Sequence, residues 1–172
     1  EIIAPNVIET TTKSGNWKFR WAFYDQYAKF VMVRTVDGAP YWFLYEGIPG
    51  GEFNPEQQYW GTNFGLQKEI PDYYNGEELY GFWQWVFFGH KKSERILFLV
   101  QKQKDDLKDT FGFLGNSSLG LKSKDGMVVF GFGRGKEATP LLNEKNVFYM
   151  GFYGKQVDFA SFPKLAKFIQ KN

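Results

Sequence analysis

The order of apolar and polar side chains reads as a series of short strands. Trp17, Phe19, Trp21 and Phe23 alternate with Lys18, Arg20, Ala22 and Tyr24. A period of two marks a strand with one face buried. After a turn at Asp25-Gln26-Tyr27, the β-branched run from Phe30 to Val36 predicts a second strand. Asp37-Gly38-Ala39-Pro40 has hairpin-turn chemistry, so Tyr41 to Glu46 is expected to return as the third strand of a meander. Gly47, Pro49, Gly50, Gly51 and Pro55 then mark a loop over residues 47–58. Gln58 to Leu66 reads as a short strand, and Pro71 to Glu78, with Asn75-Gly76, as a second loop.

Leu79 to Gly89 breaks the half-buried pattern. Trp83, Trp85 and Phe87 fall on one side, and Tyr80, Phe82, Val86 and Phe88 on the other. Apolar groups on both faces predict a central strand covered twice. His90-Lys91-Lys92-Ser93-Glu94 turns it into Arg95 to Gln103, which completes a hairpin, with His90 expected in a solvated turn. Phe111 to Leu114, Leu119 to Ser123, Met127 to Gly133 and Asn146 to Lys155 are the remaining strands. One helix closes the chain. Ser161 can cap it, Pro163 suits its first turn, and Phe162, Leu165, Ala166 and Ile169 share one face. No linker divides residues 1–172, so the expectation is one all-β domain, an antiparallel β-sandwich with a short C-terminal helix.

A Gly-Phe pair recurs at Gly81, Gly112, Gly131 and Gly151, with spacings of 31, 19 and 20 that rule out a regular repeat. A strand glycine lets a neighbouring ring lie over bare backbone, which is the packing expected at these sites.

Composition sharpens this picture at one point. The 19 Phe, 10 Tyr and 6 Trp make up 20% of the 172 residues. Burial of a heavy core is the first explanation for such an excess, because aromatic rings carry the largest apolar payload. A binding role is the second, because rings also occur in segments that read as loops. The absence of Cys excludes a disulfide scaffold, a thiolate metal site and a Cys nucleophile. No apolar run approaches the ~18 residues of a membrane span. The net charge is +2, but residues 1–86 carry 6 basic and 11 acidic side chains and residues 87–172 carry 15 and 8. The acidic first half counts against nucleic acid as a partner. The chain begins Glu1-Ile2-Ile3 without an initiator Met, read as a processed chain and hence an extracytoplasmic or secreted one.

Catalytic sets are sparse. His90 is the single His, so a two-His metal site is excluded. A polysaccharide lyase or hydrolase would have to combine His90 with a Tyr and one of Arg20, Arg34, Arg95 or Arg134. Asp105, Asp106 and Asp109 lack the spacing of an EF-hand loop, and Gly131-Phe132-Gly133-Arg134-Gly135 matches neither phosphate-loop fingerprint. The reading therefore leans away from an enzyme, with no cofactor and no metal.

Aromatic and hydroxyl-bonding side chains are mixed in two segments, 56–63 and 72–77. Sugar rings pack their C–H faces on Trp and Tyr while carboxamides and carboxylates bond the hydroxyls. The expected function is non-catalytic glycan binding. Trp60, Tyr59, Tyr73, Tyr74 and Trp42 would stack, and Asn63, Gln58, Asp72 and Glu77 would bond hydroxyls. A subunit role in a larger assembly is a further reading, which a large exposed aromatic patch would signal.

Gly15-Asn16-Trp17 at the head of the first strand resembles the G-x-W signature of lipocalins. Arg134 near a late strand and the C-terminal helix are similar to that family too. The resemblance implies an up-and-down β-barrel carrying a small hydrophobic ligand, with Trp17 closing its floor. Two departures stand against it: no T-D-Y-type motif is present, and a strand at 146–155 separates Arg134 from the helix.

Overall fold

Both faces of one central hairpin are buried, and the architecture follows from how the chain covers them. The computed structural model describes residues 2–48, 53–67, 79–114, 119, 122–123, 126–143 and 145–171. Four strands come first: β1 (Ile2–Ala4), β2 (Val7–Thr11), β3 (Lys18–Phe23) and β4 (Tyr27–Arg34). Then come β5 (Phe43–Gly47), β6 (Gln58–Thr62), β7 (Gly65–Gln67) and β8 (Leu79–Gly81). The hairpin β9 (Trp85–His90) and β10 (Ile96–Gln101) precedes β11 (Asp109–Leu114), β12 (Met127–Phe132), β13 (Val147–Tyr153) and α1 (Phe162–Lys171).

The strands form two antiparallel sheets. A nine-stranded sheet has the order β1-β2-β3-β4-β13-β10-β9-β6-β7, and a four-stranded sheet the order β5-β12-β11-β8. They pack face to face as a β-sandwich and do not close into a barrel. The lipocalin-like barrel is thereby corrected. Trp17 meets Tyr41 edge-on at 6.5 Å, between centroids, within the packing between the sheets.

Alternation along β9 and β10 sends side chains in two directions. Val86, Phe88, Leu97 and Leu99 face the smaller sheet, where they join Phe111, Phe113 and Phe130. Trp85, Phe87, Ile96 and Phe98 face the other way and are covered by Leu165 and Ile169 of α1. The order is thus sheet, sheet, helix, as a strand with two apolar faces requires. Bare backbone makes room for rings, as at Gly151, where Phe98 on the neighbouring strand lies against the space a Cβ would occupy.

Three expectations change. Tyr41 to Glu46 does not complete the first meander: β5 leaves the larger sheet and pairs with β12 in the smaller one. The chain turns away at residues 36–38, where Asp37 and Gly38 both take left-handed φ values of 45° and 70°. The meander is instead β1-β2-β3-β4. The run from Leu79 to Gly89 is two strands, because residues 82–84 cross from the smaller sheet to the larger. Trp83 sits in that crossover with its indole N–H donating to the Gly131 carbonyl at 3.0 Å. His90 is buried, as the last residue of β9 opposite Gln58. Its Nδ1 accepts the Lys92 backbone N–H at 3.0 Å. Of the expected strand at Leu119 to Ser123, residues 120 and 121 lie outside the described residues, and Leu119, Lys122 and Ser123 are not in a strand. Among the described residues, no helix is long and apolar enough to cross a membrane.

Trp60 is 2% exposed and stacks on Phe111 with centroids 3.8 Å apart. Trp60→Ala should lower unfolding free energy by about 3–5 kcal/mol in chemical denaturation, through lost burial plus the cavity left behind. A loss under about 1 kcal/mol would show that the ring does not support the core.

Candidate functional site

The nominated binding residues do not form one surface. Trp60 and Tyr59 are neighbours on β6 and so point to opposite faces of the sheet. Trp60 fills the space between the sheets, while Tyr59 packs on the helix side against Phe87. The Tyr59 hydroxyl accepts the Val157 N–H at 3.0 Å, and burial raises its pKa. Gln58 is buried on the inner side, where its Oε1 accepts the Asn54 N–H at 3.3 Å. Trp42 is 40% exposed and precedes β5, whose Phe43 packs over β4 and β13, away from β6. Asp72, Tyr73, Tyr74 and Glu77 lie outside the described residues. Of the five nominated residues that are described, only Asn63 lines the cleft beside α1.

That cleft, about 530 Å³, opens where α1 stops covering the outer face of the larger sheet. Its apolar walls are Tyr27 of β4, Trp85 of β9, Phe98 of β10, Tyr149 of β13 and Phe168 of α1. All four strand residues project to the same face by alternation, since β4, β13, β10 and β9 are consecutive neighbours. Tyr27 and Tyr149 meet edge-on at 5.7 Å. Phe162 stacks on Trp85 at 5.7 Å and holds that indole in place from the helix side.

Carboxamides supply the polar rim: Asn63, Gln84, Gln101 and Gln170. Backbone geometry sets three of them. Asn63 begins the turn between β6 and β7, and its Oδ1 accepts the Gln84 N–H at 2.8 Å while its own N–H donates to the Trp85 carbonyl at 3.2 Å. Gln84 ends the crossover, and its carbonyl accepts the Gln101 N–H at 2.9 Å. The side-chain Nε2 of Gln101 donates to Asp105 Oδ2 at 2.7 Å. Among the described residues, Asn63 Nδ2, Gln84 Oε1 and the Tyr27 and Tyr149 hydroxyls have no hydrogen-bond partner. Lys102 is the single charged side chain among the described residues of the lining.

No family model matches the chain, and no curated protein matches it.

The arrangement can hold a ligand that is flat on one side and rich in hydroxyls on the other. Of the cleft residues, only Asn63 was nominated from sequence. Gln84, Gln101 and Gln170 were missed because a carboxamide at a strand or helix end looks like ordinary solvation. The aromatic surplus on two faces of 79–88 was the available signal, since a second aromatic face needs a second cover.

A buried polar cluster stands behind the cleft. Asn146 Nδ2 donates to the Tyr41 hydroxyl at 3.1 Å, and Asp109 Oδ1 accepts the Gly133 N–H at 2.7 Å. Among the described residues, no three His, Asp or Glu side chains are grouped to hold a metal ion. Burial pushes the Asp109 carboxyl from 3.8 up to about 8, against the opposing pull of the Gly133 N–H and with help from the negative charge of Asp105. The folded protein therefore keeps a proton on Asp109 that the unfolded chain has released. Between 3.8 and about 8 the folded state binds more protons, so stability falls as pH rises through that window. Asp109→Asn retains the acceptor for Gly133 and removes the titration. Its melting temperature should lose this downward slope between about pH 5 and pH 8 and exceed that of the parent at the upper end. Parallel slopes for the two proteins would show that Asp109 does not titrate in this way.

Proposed function

We propose that the protein binds a neutral glycan in the cleft beside α1, without catalysis. One observation carries this reading. Polar atoms of Asn63, Gln84, Tyr27 and Tyr149 without protein partners gather beside aromatic walls, in a cleft whose lining holds one charge. These atoms belong to half-buried residues and keep contact with water, so a ligand that supplies both donors and acceptors can take that water's place. Sugar hydroxyls supply both. A carboxamide offers donors and acceptors at fixed spacing, which suits adjacent hydroxyls on a ring. Tyr149, Tyr27 and Phe168 provide the apolar surface for the sugar's C–H face. Among the described residues, the lining supplies no charge for an acidic ligand beyond Lys102. On this reading we place the protein outside the cytoplasm, which fractionation of the source cells checks.

A neutral-glycan array followed by calorimetric titration tests the proposal, with fluorescence of Trp85 as an independent reporter. Tyr149→Ala and Gln84→Ala should each weaken binding about tenfold, equivalent to about 1.4 kcal/mol. Melting temperatures of these variants should stay near that of the parent, since both side chains face the cleft. The reading fails if no glycan on the array binds, or if binding survives both substitutions unchanged.

A further inference from the structure

We infer that the cleft is one end of a longer groove, and that its ligand is a linear oligosaccharide chain. This inference rests on the glycan reading above and specifies the substrate class.

A second cavity of about 320 Å³ shares Asn63, Gln84 and Gln101 with the first. Asn63 and Gln84 therefore stand as a saddle between the two spaces, with Gln101, 2% exposed, bonded beneath them to Asp105 and Asn146. On the far side stand Phe64 and Phe82, which are 72% and 50% exposed. A single exposed Phe is ordinary on a protein surface, but two on one concavity mark a place where apolar surface is kept available. Both are held from behind. Phe64 lies at the tip of the β6–β7 hairpin, where its N–H donates to Thr62 Oγ1 at 3.2 Å. The bonds of Asn63 to Gln84 and to Trp85 clip that tip to the crossover. Phe82 lies in the crossover itself, with Lys108 Nζ 5.6 Å from its ring centroid.

The groove thus has ring surface at both ends and hydrogen-bonding carboxamides between. A ligand of one ring fills one end and leaves the other exposed. A chain of linked sugars repeats an apolar face and a set of hydroxyls at each unit, which matches this alternation. Charge along the second cavity is mixed, from Lys104, Asp105 and Asp106, and so selects no strongly ionic chain. Asp105 is committed to Gln101 and to the Leu107 N–H. Asp106 is exposed and carries no protein hydrogen bond among the described residues, so it can accept from a hydroxyl at the far end.

The test is calorimetry of the full chain against β-1,4-linked glucose, xylose and mannose oligomers of one, two, four and six units. For the series that binds, affinity should rise at least tenfold from the one- or two-unit ligand to the four-unit ligand. Phe64→Ala and Phe82→Ala should each cancel most of that gain while leaving the affinity for the short ligand unchanged. Tyr149→Ala should weaken short and long ligands alike. Both phenylalanines are exposed, so unchanged melting temperatures will show that the variants are folded. Short ligands that bind as tightly as long ones overturn the groove and leave the glycan reading standing. So does a length-dependent gain that survives both phenylalanine substitutions. Failure of every oligomer to bind, where the array yields another neutral glycan that does, overturns the groove alone, and failure on the array as well overturns both.

Discussion

Everything in this fold depends on the hairpin of β9 and β10 having no solvent face. Val86, Phe87, Phe88, Ile96 and Leu99 are all fully or almost fully inaccessible, although they alternate between the two sides of the sheet. At roughly 25 cal/mol per Å² of apolar area, leaving either side open would forfeit several side chains' worth of burial, about 1.5–3 kcal/mol for each large one. The chain has to provide two covers. The smaller sheet is one, and the ten-residue helix is the other. The larger sheet's strand order follows from the same need. β13 returns from the far side of the sequence to lie between β4 and β10, joining the N-terminal meander to the central hairpin and leading directly to the helix.

Aromatic rings suit such a double-sided sheet because they fill space in layers. Trp60, Phe88, Phe111 and Phe130 lie nearly parallel to their neighbours across the gap between the sheets. The polar groups drawn into this layer are tied to backbone or to one another. The Trp83 N–H reaches the Gly131 carbonyl, and Gly131 itself takes a φ of 153° where a Cβ would collide with the Phe43 carbonyl oxygen. A glycine at that position is therefore a condition for β5 and β12 to pair. Asp109 is the exception to cheap burial, a carboxyl kept neutral by its surroundings.

Much of this was legible in the sequence. Period-two alternation marks β3, β-branched residues mark β4, and the two-faced run at 79–88 already implies a covered central strand. The helix was legible from Pro163 and the apolar face at 162, 165, 166 and 169, while the Ser161 hydroxyl, expected as the cap, bonds Asp158 instead. Sheet membership was not, because a strand's own pattern does not say which sheet it joins. β5 carries the same aromatic alternation as β3 yet pairs in the other sheet, since two left-handed residues at Asp37 and Gly38 redirect the chain. The candidate site was legible in kind and not in place. Aromatics beside carboxamides were expected, but clustering in sequence put Tyr59 next to Trp60, and alternation separates them. The cleft draws its walls from β4, β9, β10, β13 and α1, which are far apart in the chain, so no local pattern could assemble it.

The cleft exists because the two covers are unequal. A helix of ten residues is about 15 Å long. Nine strands at about 4.8 Å spacing span well over twice that. The helix can shield the outer face over the central hairpin and little more. Beyond its reach the outer face changes character. The interior holds mostly Phe and Trp, whereas Tyr27, Tyr149 and Tyr153 stand on the outer face, each with a ring to bury and a hydroxyl that can meet water. A sheet end that had only to stay soluble would be satisfied by charged side chains. Here tyrosines and carboxamides occupy it instead, with one lysine among them. That combination keeps apolar surface and hydrogen-bonding groups uncommitted to protein partners side by side at the edge of the helix's cover.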